Sequence, residues 1–336
     1  MSTYHPVFGT DPYTARDAGC VGWSPDDLRG FVRDGPVRRV LRGVYVDAAV
    51  PDDVRLRARA LAKFVPAGWV VCLRTAGWLL TADVLPVGAN RAIPPIDLMA
   101  PSGAAAPRRT GCRGRTGPLP AYDIVDVDGV RVTVPSRTTA DQLRLLRRPD
   151  ALAAADAMRR ATGVEPDAVA DVLDRFRGQR GVVQARELLA LSDPRAESPQ
   201  ESRTRLRCVD AGFPCPEPQI EVFDAFGQFL ARLDMGYRKE RKGLEFDGDQ
   251  FHRTPAQLRH DRARRESVER EGWTVNVVTT EQVFGRGLAF ERVVSELLGV
   301  APRFTRHHPK YGGWDIGEPS WPTDGRVRRR AVPVSA

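Results

Sequence analysis

Apolar positions along the chain fall into helical and alternating stretches that mark out four parts. In the first, SPDDLRGFVRDGPVRRVLRGVYV, residues Leu28, Phe31 and Val32 share one helical face. Ser24 followed by Asp27 predicts the start of that helix, because a serine oxygen accepts an orphan backbone N–H. Gly35 predicts its end. Val37, Val40, Leu41, Val44 and Tyr45 then form two short extended segments turning at Arg42-Gly43. Helix, glycine stop and small hairpin is the layout of a winged helix-turn-helix, assigned to residues 1–50.

Residues 51–195 read as a mixed α/β region followed by a helical one. DDVRLRARALAKFV has helical spacing, the region runs on through WVVCLRTAGWLL, and a strand is expected around Pro94 to Ala100. Residues 101–120 are rich in Gly, Pro and Arg and are expected to form a basic loop. YDIVDVDGVRVTV alternates apolar and polar residues about Asp128-Gly129, a hairpin signal. From Thr138 to Leu191 the Ala, Leu and Arg pattern predicts three helices broken near Gly163 and Gly178.

Residues 196–300 change character. A helix in ESPQESRTRLRCVDAG precedes strand patterns at QIEVFD, QFLARLDMGY and KGLEFDG. A charged helix from Thr254 to about Glu271, the strand WTVNVVT and a final helix complete an order α-β-β-β-α-β-α. Residues 301–336 are rich in Gly, Pro and charge and are expected to form a basic, disordered tail. The fold class is therefore α/β and multi-domain.

The chain has 336 residues and a net charge of +8. Seven Arg or Lys against three acids from Ala301 onward supply half of that excess. Such a balance favours a polyanionic partner. The five cysteines are scattered without a C-x-x-C pair, which indicates neither zinc knuckle nor disulfide framework and fits a cytoplasmic setting. No long apolar run and no leader pattern occur, so no membrane span is expected.

Candidate chemistry concentrates in Arg232-Leu-Asp-Met-Gly-Tyr and Gly243-Leu-Glu-Phe-Asp-Gly. A hairpin makes Asp234 and Glu245 near neighbours, and alternation puts Asp247 on the face of Glu245. Three carboxylates on one side of a sheet suit a hard cation such as Mg²⁺ or Mn²⁺, which lowers the pKa of a bound water. The bland reading is that these acids are solvated hairpin residues. His252 just beyond the strand has the chemistry for proton transfer. The following helix carries Arg259, Arg262, Arg264 and Arg265, read either as a solvated face or as a phosphate clamp.

Together, SPQESRTRL, ARLDMGYRKERKGLEFDGDQFH and RHDRARRESVEREGWTV resemble an uncharacterised bacterial family related to very-short-patch-repair (Vsr-like) endonucleases, within the PD-(D/E)xK nuclease superfamily. The resemblance implies a restriction-endonuclease-like mixed sheet of four strands flanked by helices, and Mg²⁺-dependent phosphodiester hydrolysis. It implies Asp234, Glu245 and Glu201 as metal ligands and His252 as the histidine after the core strand. Asp247 stands where the superfamily has a lysine, leaving that role open to Lys242, Arg262 or His252.

The segment from Ala15 to Tyr45, with Arg74, Thr75 and Ala76 after it, resembles the N-terminal region of AbiEi-type antitoxin or transcriptional-regulator proteins. There the winged helix grips DNA, which makes Arg33, Arg38, Arg39 and Arg42 the candidate phosphate contacts. Two functions follow: a metal-dependent DNA endonuclease with a DNA-binding module, or an AbiEi-like regulator whose nuclease fold is catalytically silent. A toxin or defence-system partner is a third reading.

Overall fold

The computed structural model describes residues 4–66, 68–80, 84, 95–100, 104–105, 111–247, 255–285 and 288–303. It is a mixed α/β chain with three sheets, and it divides into two compact units, 1–144 with 158–179, and 145–157 with 180–336.

The first unit opens with β1 (Tyr13–Thr14), α1 (Ala15–Cys20), α2 (Pro25–Asp34), β2 (Val37–Leu41) and β3 (Val44–Asp47). Ser24 and Asp27 form a reciprocal capping box on α2, and Gly35 ends it at φ 98°. The strands make a three-stranded sheet of order β1-β3-β2. Tyr13, Ala18, Leu28, Phe31 and Val37 form its buried core, with Trp23 edge-on to Phe31. Val40, Leu41, Val44 and Val46 instead join the core of the following elements.

Those elements are α3 (Val54–Ala62), β4 (Val70–Val71), α4 (Leu73–Leu79), β5 (Ile96–Met99), β6 (Cys112–Arg115), β7 (Ile124–Val127), β8 (Val130–Thr133) and α5 (Pro135–Leu145). The five strands have the order β6-β5-β4-β8-β7. The β7–β8 hairpin turns on Asp128 (φ 48°) and Gly129 (φ 82°), the positive pair a tight type I′ turn demands. Residues 101–120 are not loop throughout: β6 lies inside them, pairing parallel to β5. Nor does the helical region hold three helices. It holds α5, α6 (Arg148–Thr162), α7 (Pro166–Asp174) and α8 (Val182–Leu191), the extra break falling between Leu145 and Arg148.

The second unit carries α9 (Pro199–Asp210), β9 (Glu217–Phe223), β10 (Phe229–Tyr237), β11 (Lys242–Asp247), α10 (Pro255–Arg270), β12 (Thr274–Thr279), α11 (Thr280–Phe284) and α12 (Ala289–Leu298). Its sheet has the order β12-β11-β10-β9. β9, β10 and β11 form an antiparallel meander, and β12 returns parallel to β11 after the α10 crossover. Gly236 faces Gly243 across the β10–β11 ladder, and a Cβ on Gly236 would overlap the Lys242 carbonyl oxygen.

Helix α9 is charged yet buried. Its arginines at 203, 205 and 207 each reach a carboxylate: Asp150, Asp156 and Glu291. Arg207 donates two parallel hydrogen bonds to Glu291, Nε to Oε1 at 2.8 Å and Nη2 to Oε2 at 2.9 Å, with both side chains essentially without solvent exposure. This fork fixes α9 to α12 beside Cys208, Met235, Leu244, Phe290 and Val294 of the core.

Candidate functional site

Strands β10 and β11 and helix α10 bring Asp234, Glu245, Asp247, Arg264 and Arg265 around one cavity of about 200 Å³, with Phe246 and Val277 as its apolar lining. The antiparallel register of Met235 with Leu244 is what makes Asp234 a neighbour of β11. Asp234 Oδ2 accepts the backbone N–H of Phe246 at 2.8 Å. Burial pushes the Asp234 carboxyl up to about 6, and the charges of Glu201 and Glu245 add to the rise. Glu245, 9% exposed, accepts Arg264 Nη2 on Oε1 at 2.9 Å, and Arg265 Nε stands 3.9 Å from Oε2.

Glu201 lies in the first turn of α9, whose N-cap is Ser198. Its Oε2 accepts the Gln219 side-chain amide at 2.7 Å and the Glu197 backbone N–H at 3.0 Å. The charges of Glu201 and Glu245 both act on Asp234, while Glu245 is itself paired with Arg264.

Hard divalent cations take carboxylate oxygens, so the donor set fits Mg²⁺ or Mn²⁺ by chemistry. Among the described residues no three acids, histidines or cysteines are already gathered at the spacing of metal ligands.

Of Lys242, Arg262 and His252, the three candidates for the cation that Asp247 displaces, the two described ones have partners outside the cavity. Lys242 Nζ donates to Thr274 Oγ1 at 3.0 Å, and Arg262 pairs with Glu266 one helical turn on at 2.9 Å. His252 and the side chain of Arg259 lie outside the described residues. Among the described residues, the cations that reach the cavity are Arg264 and Arg265. The arginine-rich helix was visible in the sequence, but which arginines face the acids depends on its rotation over the sheet.

In the first unit, Arg39 and Arg42 are exposed on and beyond β2, while Arg38 is half-buried and donates to the Val50 carbonyl at 2.8 Å. Arg39 stacks over Tyr45 at 5.6 Å, and Arg33 is held by the adjacent Asp34. Of these four arginines, Arg39 and Arg42 are the exposed ones for which no ion pair is seen among the described residues.

Comparison with known proteins adds a family. Two uncharacterized proteins of Mycobacterium tuberculosis, MT2308 and Rv2248, are each 33% identical over 253 residues, covering 75% of this chain and 89% of theirs. The chain belongs to their family. Within it, residues 69–191 match the AbiEi antitoxin C-terminal domain. The crystal structure of RV2827C protein from Mycobacterium tuberculosis is similar at 18% identity with a TM-score of 0.30, covering 54% of this chain and 71% of that one, too distant to carry an argument.

The AbiEi-matching segment contains a buried charge network. Arg137 donates to Asp123 at 2.6 Å and to Asp141 at 2.7 Å, and Arg175 adds a second guanidinium to Asp123 at 2.8 Å. Arg144 pairs with Asp141 and lies 3.7 Å from the centre of the Phe176 ring. These groups are paired with one another, and the network's evident role is to tie α5 and α7 to the β7–β8 hairpin. No helix among the described residues is long and apolar enough to cross a membrane.

Proposed function

We propose that the chain is a DNA-binding regulator of the AbiEi antitoxin type, with a toxin as its protein partner. The match of residues 69–191 to the AbiEi antitoxin C-terminal domain carries this reading. The N-terminal arrangement supports it: two short helices lead into a β2–β3 hairpin that presents Arg39 and Arg42 to solvent. Arginines on a hairpin beside a helix pair grip the DNA backbone and fix register, while base edges supply sequence discrimination. A gel shift on the DNA upstream of the chain's own gene tests it. Binding that weakens when Arg39 and Arg42 are neutralised is the expected result; unchanged binding in that variant contradicts it. Co-purification of the tagged chain with the product of the adjacent gene tests the partner.

A second reading concerns the C-terminal unit, and the half-buried acid Asp234, near Glu201, Glu245 and Asp247, favours it. In this reading the unit hydrolyses phosphodiester bonds with Mg²⁺ or Mn²⁺ held by Asp234, Glu245 and Glu201. The ion would lower the pKa of a water and offset charge on the phosphate. The chain's own groups would hold and orient: Asp234 fixed by the Phe246 N–H, and Arg265 set to meet phosphate oxygens. The order β12-β11-β10-β9, with β11 and β12 parallel, supports the mixed sheet this reading requires. Nicking of supercoiled plasmid that Asp234→Ala and Glu245→Ala abolish is the expected result. Absence of nicking, or equal nicking by both variants, returns the unit to a silent fold.

A further inference from the structure

Strand β9 departs from regular geometry beside Asp234 of β10. Gln219, in mid-strand, has φ 54°, in the left-handed region that side-chain-bearing residues rarely adopt. The β9–β10 register runs from Ile220 opposite Leu233 to Pro218 opposite Met235, so Gln219 stands opposite Asp234. Its side chain does not turn to solvent. Nε2 donates at 2.7 Å to Oε2 of Glu201, a residue 8% exposed on a different element, α9.

A glycine would take this backbone conformation without strain. A strained glutamine therefore has value only through its amide, and strain of this kind gathers where a site must be held in one geometry. We propose that Gln219 is a positioning residue: its left-handed backbone aims the amide at Glu201 and holds that carboxylate toward Asp234 in a divalent-cation site. The proposal rests on the second reading of the C-terminal unit. Glu201 has a competing structural explanation, since the same oxygen accepts the Glu197 N–H at the start of α9. In that case the amide of Gln219 would serve only the helix end, and cation affinity would not depend on it.

Two substitutions at one position separate these roles. Gln219→Gly removes the amide and the strain, whereas Gln219→Ala removes the amide and keeps the strain. Mn²⁺ binding to the full chain, followed by the EPR signal of the free ion, is measured beside the melting temperature. Both variants are expected to bind Mn²⁺ about tenfold more weakly, the usual loss when a ligand's supporting hydrogen bond is removed. Gln219→Gly is expected to melt at or above the wild type, and Gln219→Ala below it. Adding Gln219→Gly to Glu201→Gln should weaken binding no further, because the two act through one carboxylate. Wild-type Mn²⁺ affinity in Gln219→Gly, with Glu201→Gln weakened, overturns the positioning role alone. A wild type that binds no Mn²⁺ overturns the cation site itself, and this proposal with it.

Discussion

Arg264 Nη2 lies 2.9 Å from Glu245 Oε1, inside the cavity that Asp234 and Asp247 also line. A guanidinium and a divalent cation would compete for that carboxylate. Arg264→Ala is therefore expected to tighten Mn²⁺ binding, read by isothermal titration calorimetry. The side chains of Arg264 and Glu245 are 29% and 12% exposed, so solvent screens part of the attraction. A gain of about threefold to tenfold corresponds to a partly screened pair of roughly 1 kcal/mol. Weaker binding in the variant would mean that Arg264 supports the site instead.

Asp234 gives a pH dependence with a definite sign. Its carboxyl is raised from 3.8 to about 6, chiefly by burial. Between those values the folded chain keeps a proton that the unfolded chain has lost. Stability contributed by this group is present below the lower value and is lost as pH rises through the upper one. Asp234→Asn should stabilise the chain at about pH 7.5 by roughly 1–3 kcal/mol and have little effect near pH 4. Urea unfolding at both pH values, with chelator present, checks the difference. Destabilisation at the higher pH would contradict it.

The fork between Arg207 and Glu291 tests the packing of the C-terminal unit. Arg207→Ala leaves a fully buried carboxylate unpaired and should cost about 3–5 kcal/mol. The double variant Arg207→Met with Glu291→Leu should recover most of that loss, because two apolar side chains need no partner. Urea midpoints of the single and double variants decide it. Equal losses in both would mean that the pair contributes little beyond its volume.

The elements that local chemistry dictates were the most legible. Ser24 and Gly35 bound α2 as expected, Asp128-Gly129 makes its hairpin, and the order of helices and strands from α9 to β12 follows the alternation of apolar positions, although the single final helix expected is split into α11 and α12. Non-local pairing was not legible. Strand β6 hides in a Gly, Pro and Arg stretch because its partner β5 supplies the register. The arginines of α9 read as a charged face. They are buried because Asp156 and Glu291, 49 and 84 residues away, receive two of them. At the site, Asp234, Glu245 and Asp247 were visible as a pattern. Arg264 is one of the four arginines singled out on α10, which the sequence does not tell apart, since the rotation of the helix decides which meets the acids, and a left-handed Gln219 in mid-strand leaves no mark in composition or periodicity.

DNA binding through the β2–β3 hairpin is most directly tested by fluorescence anisotropy of the full chain on an upstream duplex, measured across a range of salt. Arg39→Glu with Arg42→Glu is expected to weaken binding at least tenfold. The slope of log K against log salt is expected to become shallower by roughly two, near 0.9 for each lost phosphate contact. A double variant with the affinity and salt slope of the wild type would contradict the assignment of this hairpin as the DNA-gripping surface.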